Sequence, residues 1–521
     1  SAVTITFVLG EDGLIAKAME AKKANENAEG KDKAQLDDAS DFINGYKQTE
    51  SGYSEKDKVN SPNLKEGMIP VYYDKVNKVW RKADKENKDK QWYNYDSKQW
   101  ANIVTVEEKD GELRNVEVGT EIPMEKITSF FVWIPRYAYS ITSGYKQGNG
   151  AEGEIDVTFL KGNTNIGTDG VSYNTDYDES KLNEGEVTPK IVHPGFKMGG
   201  KELTGIWVAK FEASGTDSNG NAVGNASASS SAEQHEPEPN TYVKILPSKI
   251  SWRHITIGES EYRCMQMSNN KDKYGWNSTV NSHLIKNSEW GAVAYLCYSK
   301  YGNVPQTNGA GTAVSGSHWY DLYTGGGAKG ANDQGSYTFS ESTHAYNTDL
   351  GVLASTTGNE YGIYDMAGGA WERVATYLDN KNENLNNFGK NKDGSIKYFE
   401  NRILNSQYAS LWDSYQVSDE EKNNKIMVEN FGEISQSELW KWENRAIEYN
   451  KARLRLTQAN YNNMPKGIGI NETGKSFSYY APYGTDATKK PYTWFTTAKD
   501  TSTATGGDPN ANTWDGDLML I

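Results

Sequence analysis

The chain has 521 residues, a net charge of -15 and a mean hydropathy of -0.78. Its 33 tyrosines and 15 tryptophans supply large side chains for a substantial buried core. The acidic balance argues against nucleic acid as a partner, because a phosphate backbone would be repelled. No apolar run approaches the roughly 20 residues that a membrane-spanning helix needs.

Two cysteines and six histidines restrict the chemistry that the chain can support. Two thiols exclude a four-cysteine zinc site and a scaffold of several disulfides. We expect Cys297 to be a buried, inert thiol on a helix, while a disulfide with Cys264 stays open. No HExxH motif occurs, and we expect His193, His254 and His283 to have structural roles.

The first 29 residues join a short apolar run to a polar helical pattern. Residues 1–9 are rich in β-branched side chains, residues 10–13 interrupt the run, and residues 14–29 favour a helix. An exposed apolar run of this kind promotes association. We therefore predict an assembly segment whose apolar side chains are buried between chains, namely those of Val3, Ile5, Phe7, Val8, Leu9, Leu14 and Ile15.

Short apolar and aromatic runs separated by turn residues predict strands in two groups. The first group indicates a small antiparallel β module over residues 46–124, and its runs lie at 68–73, 79–80, 91–95 and 100–106. We expect the Trp and Tyr side chains of this module to form its core. The second group has runs at 130–137, 157–160, 193–196 and 205–212.

The remaining local patterns predict a loop and two helices. Residues 214–240 are rich in Ser, Gly and Asn and predict an exposed loop. A helix is expected over residues 288–297, with Ser288 as its N-cap and Glu289 in its first turn. A second helix is expected over residues 435–460.

Residues 3–22 read VTITFVLGEDGLIAKAMEAK. They resemble the segment that follows the membrane-embedded part of type IV pilin-like proteins of Gram-positive bacteria. Two features depart from that family: no cleavage-site glycine precedes an aromatic residue, and Ile5 stands where a mature pilin has Glu. The resemblance implies that Ser1 lies within a longer hydrophobic helix, which is in the membrane before assembly.

A second resemblance rests on motifs at residues 131–135, 205–212, 288–295 and 359–372. Their order is similar to that of the formylglycine-generating enzyme, or sulfatase-modifying-factor, domain. This resemblance implies a C-type-lectin-like fold over residues 125–521, with insertions at 214–240 and 375–475. The most specific motif, NEYGIYDMAGGAWE, implies a motif core of Tyr361, Tyr364, Asp365, Met366, Trp371 and Glu372.

Departures from the second family bear on its chemistry. Gly369 stands where the family has an asparagine that binds calcium, and no cysteine follows Glu372. The comparison therefore implies no catalytic residues and no cofactor, with a structural calcium left open and Glu372 as a candidate ligand. Buried acids such as Asp365 need either a cation or hydrogen-bond donors. The chain also ends before an Arg-Gly-Gly segment that usually completes the domain.

These observations together predict an α+β protein with three parts. They are an N-terminal assembly helix and connector over residues 1–45, the small β module, and the loop-rich lectin-like domain. The expected function is that of a structural subunit of an extracellular, pilus-like bacterial filament, with the chain as its own partner. A monomeric cell-surface adhesin that binds a host or surface glycan or a protein is the alternative. An enzyme of the modifying-factor type is a third hypothesis.

Overall fold

A computed structural model describes the middle of the chain. The described residues are 48–88, 91–143, 154–177, 181–183, 186–217, 220, 222–223, 241–249, 251–252, 257–268, 270–276, 280–303, 324–325, 345–349, 351–366, 375–379 and 413–416. The predicted N-terminal assembly segment and the predicted helix over residues 435–460 lie outside these ranges.

Strands make up most of the regular structure. In chain order they are β1 (Tyr53–Ser54), β2 (Val59–Asn60), β3 (Ile69–Asp74), β4 (Val79–Lys82), β5 (Asn102–Val106), β6 (Ile127–Pro135), β7 (Tyr137–Ser143), β8 (Glu154–Phe159), β9 (Ile191–Val192), β10 (Lys197–Met198), β11 (Lys201–Glu202), β12 (Gly205–Ala209), β13 (Ser214–Thr216), β14 (Ala222–Val223), β15 (Tyr242–Lys244), β16 (Thr376–Asp379) and β17 (Asp413–Gln416). The α-helices are α1 (Ile257–Ser268), α2 (Lys271–Tyr274) and α3 (Asn287–Cys297).

A five-stranded antiparallel sheet, in the order β12-β6-β5-β3-β4, forms the centre of this structure. Every residue of β5 and β6 is buried. Strands that are covered on both faces carry nearly continuous apolar side chains, which explains the runs NIVTV and ITSFFVWIP. The hydroxyls within these runs bond to one another, since Thr105 Oγ1 lies 2.7 Å from Thr128 Oγ1 and also contacts Ser129.

This sheet crosses the predicted boundary between residues 124 and 125. β3, β4 and β5 come from the predicted small β module, whereas β6 and β12 come from the predicted lectin-like part. One hydrophobic core likewise includes side chains from Val59 to Ala375. The strands of the module therefore share a sheet and a core with the residues that follow.

A three-stranded sheet, in the order β8-β7-β9, packs beside helix α3. The Tyr137 hydroxyl of β7 donates to the Ala292 carbonyl of α3 over 2.7 Å. The turn after β9 passes close to helix α3. A Cβ on Gly195 would lie 2.5 Å from the Ser288 carbonyl oxygen. Glycine is therefore required at this point for α3 to approach the sheet.

The prediction of an exposed loop over residues 214–240 is wrong for the first part of that range. Residues 214–216 form β13, which is buried and pairs with both β14 and β15. The Ser214 hydroxyl donates to the Lys244 carbonyl over 3.1 Å. Serine, threonine and glycine are typical of loops, but here they form a buried strand. Residues 224–240 lie outside the described part of the chain.

The predicted strand at residues 91–95 is also wrong, although its aromatic side chains are buried as expected. The Asn87 side chain accepts hydrogen bonds from the backbone N–H groups of Trp92 and Tyr93, at 3.2 and 3.1 Å. These bonds hold the chain in a turn, and a 3₁₀ helix over Tyr95–Ser97 follows. An Asn side chain that bonds nearby backbone groups competes with strand pairing.

The predicted insertion at residues 375–475 begins in contact with the core. The Ala375 N–H donates to the Ile285 carbonyl over 2.8 Å, and the Ala375 side chain is buried. β16 then pairs in parallel with β17. The structure is thus mixed but sheet-rich, with mainly antiparallel pairing and few helices within the described ranges. None of the helices described is long and apolar enough to span a membrane.

The pairing of β13 yields a test based on two deletions. Replacing residues 214–240 by a short Gly-Ser linker removes β13 and leaves β15 without its partner, so we expect a large loss of thermal stability. Replacing only residues 225–239 keeps all three strands and should leave the melting temperature close to that of the parent protein. Thermal unfolding followed by circular dichroism measures both. Equal losses in the two variants would contradict a special role for β13.

Candidate functional site

Residues 359–366, which we call the motif loop, lie against the five-stranded sheet and carry the most specific sequence motif. Four predicted core residues of this motif are described, and all four are buried: Tyr361, Tyr364, Asp365 and Met366. Trp371 and Glu372 lie outside the described residues. Polar side chains hold the loop to the sheet.

Lys210, directly after β12, is the central contact. Its side chain is completely buried. The Nζ atom donates to the Glu360 and Gly362 carbonyls, at 2.6 and 2.7 Å, and to Asn102 Oδ1 at 2.8 Å. Burial lowers the pKa of Lys210 well below its ordinary value, and the charge of Glu360 opposes that shift. One amine thus joins the motif loop to two strands of the sheet.

Asn102, the first residue of β5, completes this connection. Its Nδ2 group donates to the Trp100 carbonyl over 3.0 Å and to the Tyr361 carbonyl over 2.9 Å. Its Oδ1 atom faces Lys210 Nζ. Because two carbonyl groups face one end of the amide and an N–H donor faces the other, only this orientation satisfies all the groups.

The tyrosines of the motif loop combine apolar burial with hydrogen bonds. The Tyr361 hydroxyl accepts from the Tyr73 N–H over 3.1 Å, which attaches the loop to β3. The Tyr364 hydroxyl donates to the Tyr346 carbonyl over 2.7 Å, and its N–H donates to the Lys210 carbonyl over 2.8 Å. Burial raises the pKa of Tyr361 to about 12 and that of Tyr364 well above its ordinary value. Both phenols therefore stay neutral.

Asp365 is held by backbone amides at the end of the loop. Its carboxylate accepts from the Glu212 N–H at 3.1 Å and from the Gly325 N–H at 2.9 Å. The φ of Asp365 is 63°, in the left-handed region that Asp tolerates better than most residues. The sequence analysis expects this buried acid to have either a cation or hydrogen-bond donors as partners. The described structure gives it backbone N–H donors.

Sequence reasoning did not single out Lys210 or Asn102. A signal was present at Lys210, because a lysine inside the apolar run GIWVAKFE must either reach solvent or be buried with partners. Nothing in the local sequence marks Asn102, which lies 108 residues away from Lys210. The contact between them arises only from the pairing of distant strands.

His193 has the structural role that the sequence predicts. It follows β9, and its Nδ1 atom accepts from the Gly195 N–H over 3.1 Å. This bond and Pro194 shape a 3₁₀ helix over Pro194–Phe196, so the predicted strand at residues 193–196 is wrong. Aromatic rings surround the imidazole, and burial lowers the pKa of His193 to about 3.

His283 lies beside the N-terminus of helix α3, while His254 lies outside the described residues. The His283 Nε2 atom is 3.1 Å from Glu289 Oε2, which also accepts from the Lys286 N–H at 2.9 Å. Lys286 is therefore the N-cap, and the prediction of Ser288 is wrong, whereas Glu289 lies in the first turn as predicted. Burial opposes ionisation of Glu289, but its interactions with His283 and Lys286 lower its pKa overall.

The two cysteines are both buried and are not joined in a disulfide. Cys297, in the last turn of α3, donates its thiol hydrogen toward the Thr356 carbonyl over 3.4 Å. Burial raises the pKa of Cys297 far above its ordinary value. The prediction of an inert, buried thiol is therefore confirmed for Cys297.

No group of three or more His, Cys, Asp and Glu side chains within the described ranges is placed to hold a metal ion. The candidate calcium ligand Glu372 lies beyond those ranges, so the question of a structural calcium stays open. In comparisons with known proteins, no family model matches the chain. No curated protein matches it in sequence either.

The amide contacts of Asp365 predict the cost of losing its carboxylate. Asp365→Gly keeps the left-handed backbone accessible but removes both oxygens. We expect it to lower the free energy of unfolding by about 1–3 kcal/mol for each buried donor left without an acceptor. Asp365→Asn keeps one oxygen and should lose less. Urea denaturation measures both variants, and an Asn variant as unstable as the Gly variant would contradict the role of the carboxylate as acceptor.

The low pKa of His193, about 3, predicts acid sensitivity. Below pH 6.5 the unfolded chain binds a proton at this residue that the folded chain does not bind. Stability should therefore fall as the pH drops from 6.5 toward 3, with a limiting slope of about 1.4 kcal/mol per pH unit.

The measurement is the free energy of unfolding between about pH 7.5 and pH 5, an interval that lies above the ordinary pKa of carboxyl groups. His193→Asn can still accept from the Gly195 N–H and should show a smaller slope than the parent protein. His235→Asn keeps His193 and should retain the parent slope. Equal slopes in all three proteins would show that His193 is not the responsible group.

Proposed function

We propose that the protein is a structural subunit of an extracellular, pilus-like filament on a bacterial cell surface. Residues 1–29 pack in the filament interior, and the rest of the chain is displayed outward as a non-catalytic, lectin-like domain without a cofactor. The observation that carries the proposal is the apolar run at the N-terminus. Each buried apolar side chain contributes about 1.5–3 kcal/mol, so the seven of this segment supply a strong drive for association.

Repetition of one contact turns this association into a filament. When a segment of one subunit packs against a different surface of the next, the contact does not close on itself, and a helical polymer forms. Gly10 and Gly13 lie between the apolar run and residues 14–29. Their conformational freedom allows the outer part to adopt its own orientation relative to the packed segment.

The contacts at the motif loop support a structural role for the outer part. Lys210, Asn102 and Asp365 carry functional groups that enzymes use, yet each is buried and bonds backbone groups of neighbouring segments. Such contacts resist local unfolding because they join segments that are distant in sequence. The resemblance to the formylglycine-generating domain is thus proposed as a likeness of fold rather than of activity.

Truncation tests the proposal. Deleting residues 1–29 should leave a folded monomer that no longer polymerises, as measured by negative-stain electron microscopy and sedimentation. The double variant Ile5→Ser and Val8→Ser should also fail to polymerise, because it removes apolar area from the packed segment. The matched control is Val76→Ser with Val187→Ser, at positions that are 90% and 60% exposed, and it should still form filaments.

Two outcomes would contradict the proposal. Filaments formed by the truncated protein would show that contacts between the outer parts carry the assembly. A full chain that stays monomeric at all concentrations would instead favour the alternative of an adhesin. In that case, binding to a glycan array would be the next measurement.

A further inference from the structure

The Lys210 amine and the Asn102 amide face each other in a water-excluded site. Both side chains are completely buried, and Nζ lies 2.8 Å from Oδ1. Aromatic rings surround the amine: Nζ lies 5.2 Å from the centre of the Trp80 ring and 5.5 Å from that of Tyr364. No carboxylate is hydrogen-bonded to this amine within the described part of the chain.

The amine and the amide carbon are close neighbours, and a small shift of the amine would bring them to reacting distance. A carbonyl bond is about 1.2 Å long, so Asn102 Cγ lies within about 4 Å of Nζ. Reacting atoms in pre-organised sites are about 3–3.5 Å apart. The bonds from Nδ2 to the Trp100 and Tyr361 carbonyls prevent rotation of the amide and keep its carbonyl group toward Lys210.

A neutral Lys210 amine would keep two of the three hydrogen bonds of Nζ. Such an amine has two N–H donors, and the two shorter contacts are to the backbone carbonyls of Glu360 and Gly362. Loss of the hydrogen bond to Asn102 Oδ1, the longest of the three, would leave the lone pair on the side of the Asn102 amide. Burial lowers the pKa of Lys210 and so favours this nucleophilic form.

We propose that Lys210 and Asn102 form an intramolecular isopeptide bond. The lone pair of Nζ attacks Asn102 Cγ, and a Nζ–Cγ bond forms. The Cγ–Nδ2 bond then breaks, one Nζ proton passes to Nδ2, and ammonia leaves. The product is a secondary amide between the two side chains. The step needs no oxidant, reductant or co-reactant.

This cross-link has a defined place in the fold. It joins β5 to the end of β12 on either side of β6 and closes a loop between residues that are 108 positions apart. Closing a long loop restricts the unfolded chain and thereby stabilises the folded one. The inference does not depend on the proposed filament, because it concerns a bond within one chain.

Intact-mass spectrometry of the denatured full chain tests the proposal. The parent protein should be lighter than its sequence by one ammonia molecule, and proteolysis should yield a branched peptide that contains both Lys210 and Asn102. Protein refolded from freshly synthesised chains should start at the full mass and convert over time, because the reaction requires the folded geometry. Heating should then unfold the converted form at a higher temperature than the unconverted form.

Variants identify the reacting groups. Lys210→Met and Asn102→Ala should keep their full sequence masses, and the matched control Lys190→Met should retain the loss of ammonia. Lys190 suits this purpose because its amine contacts Asp156 and Thr158 rather than an amide. A parent protein that stays at full mass after long incubation would overturn the proposal. So would a mass loss that maps to another asparagine, such as Asn219 before Gly220.

Discussion

Burial of the Lys210 amine is the constraint on which the centre of the structure depends. A polar group that is removed from water must be given partners, and here all three acceptors come from elsewhere in the chain. One is the first residue of β5, and two are backbone carbonyls of the motif loop. The amine can be buried only when the sheet and the loop are both in place, so each stabilises the other.

The aromatic side chains around the amine follow from the same constraint. Trp80, Phe211 and Tyr364 exclude water from Nζ, and hydrogen bonds in such a medium are stronger than in solvent. Asp365 supplies a second anchor, because its carboxylate gathers the N–H groups of Glu212 and Gly325. The high aromatic content that the composition shows is thus used to shield a polar network as well as to fill a core.

Sequence patterns predicted the elements whose residues are apolar or periodic, and they failed where a polar side chain redirects the backbone. The strands β3 to β6 and helix α3 were predicted from such runs. The errors at residues 91–95 and 193–196 arise from Asn87 and His193, whose side chains bond nearby N–H groups. The motif identified Asp365, but the partners of Lys210 depend on pairing between strands that are distant in sequence, which no local pattern reveals.

The proposed role as a filament subunit would give the long-range contacts a physical purpose. A domain displayed in this way would be loaded through its connection to the packed terminus, and it would resist that load best if distant segments had to separate together. The contacts of Lys210 meet this requirement, because they link residues 108 and more than 150 positions apart in a single buried site. A covalent bond there would make separation of β5 from β12 require cleavage of an amide rather than exchange of a hydrogen bond with water. Mechanical rigidity and the chemistry of one buried amine would then have the same structural origin.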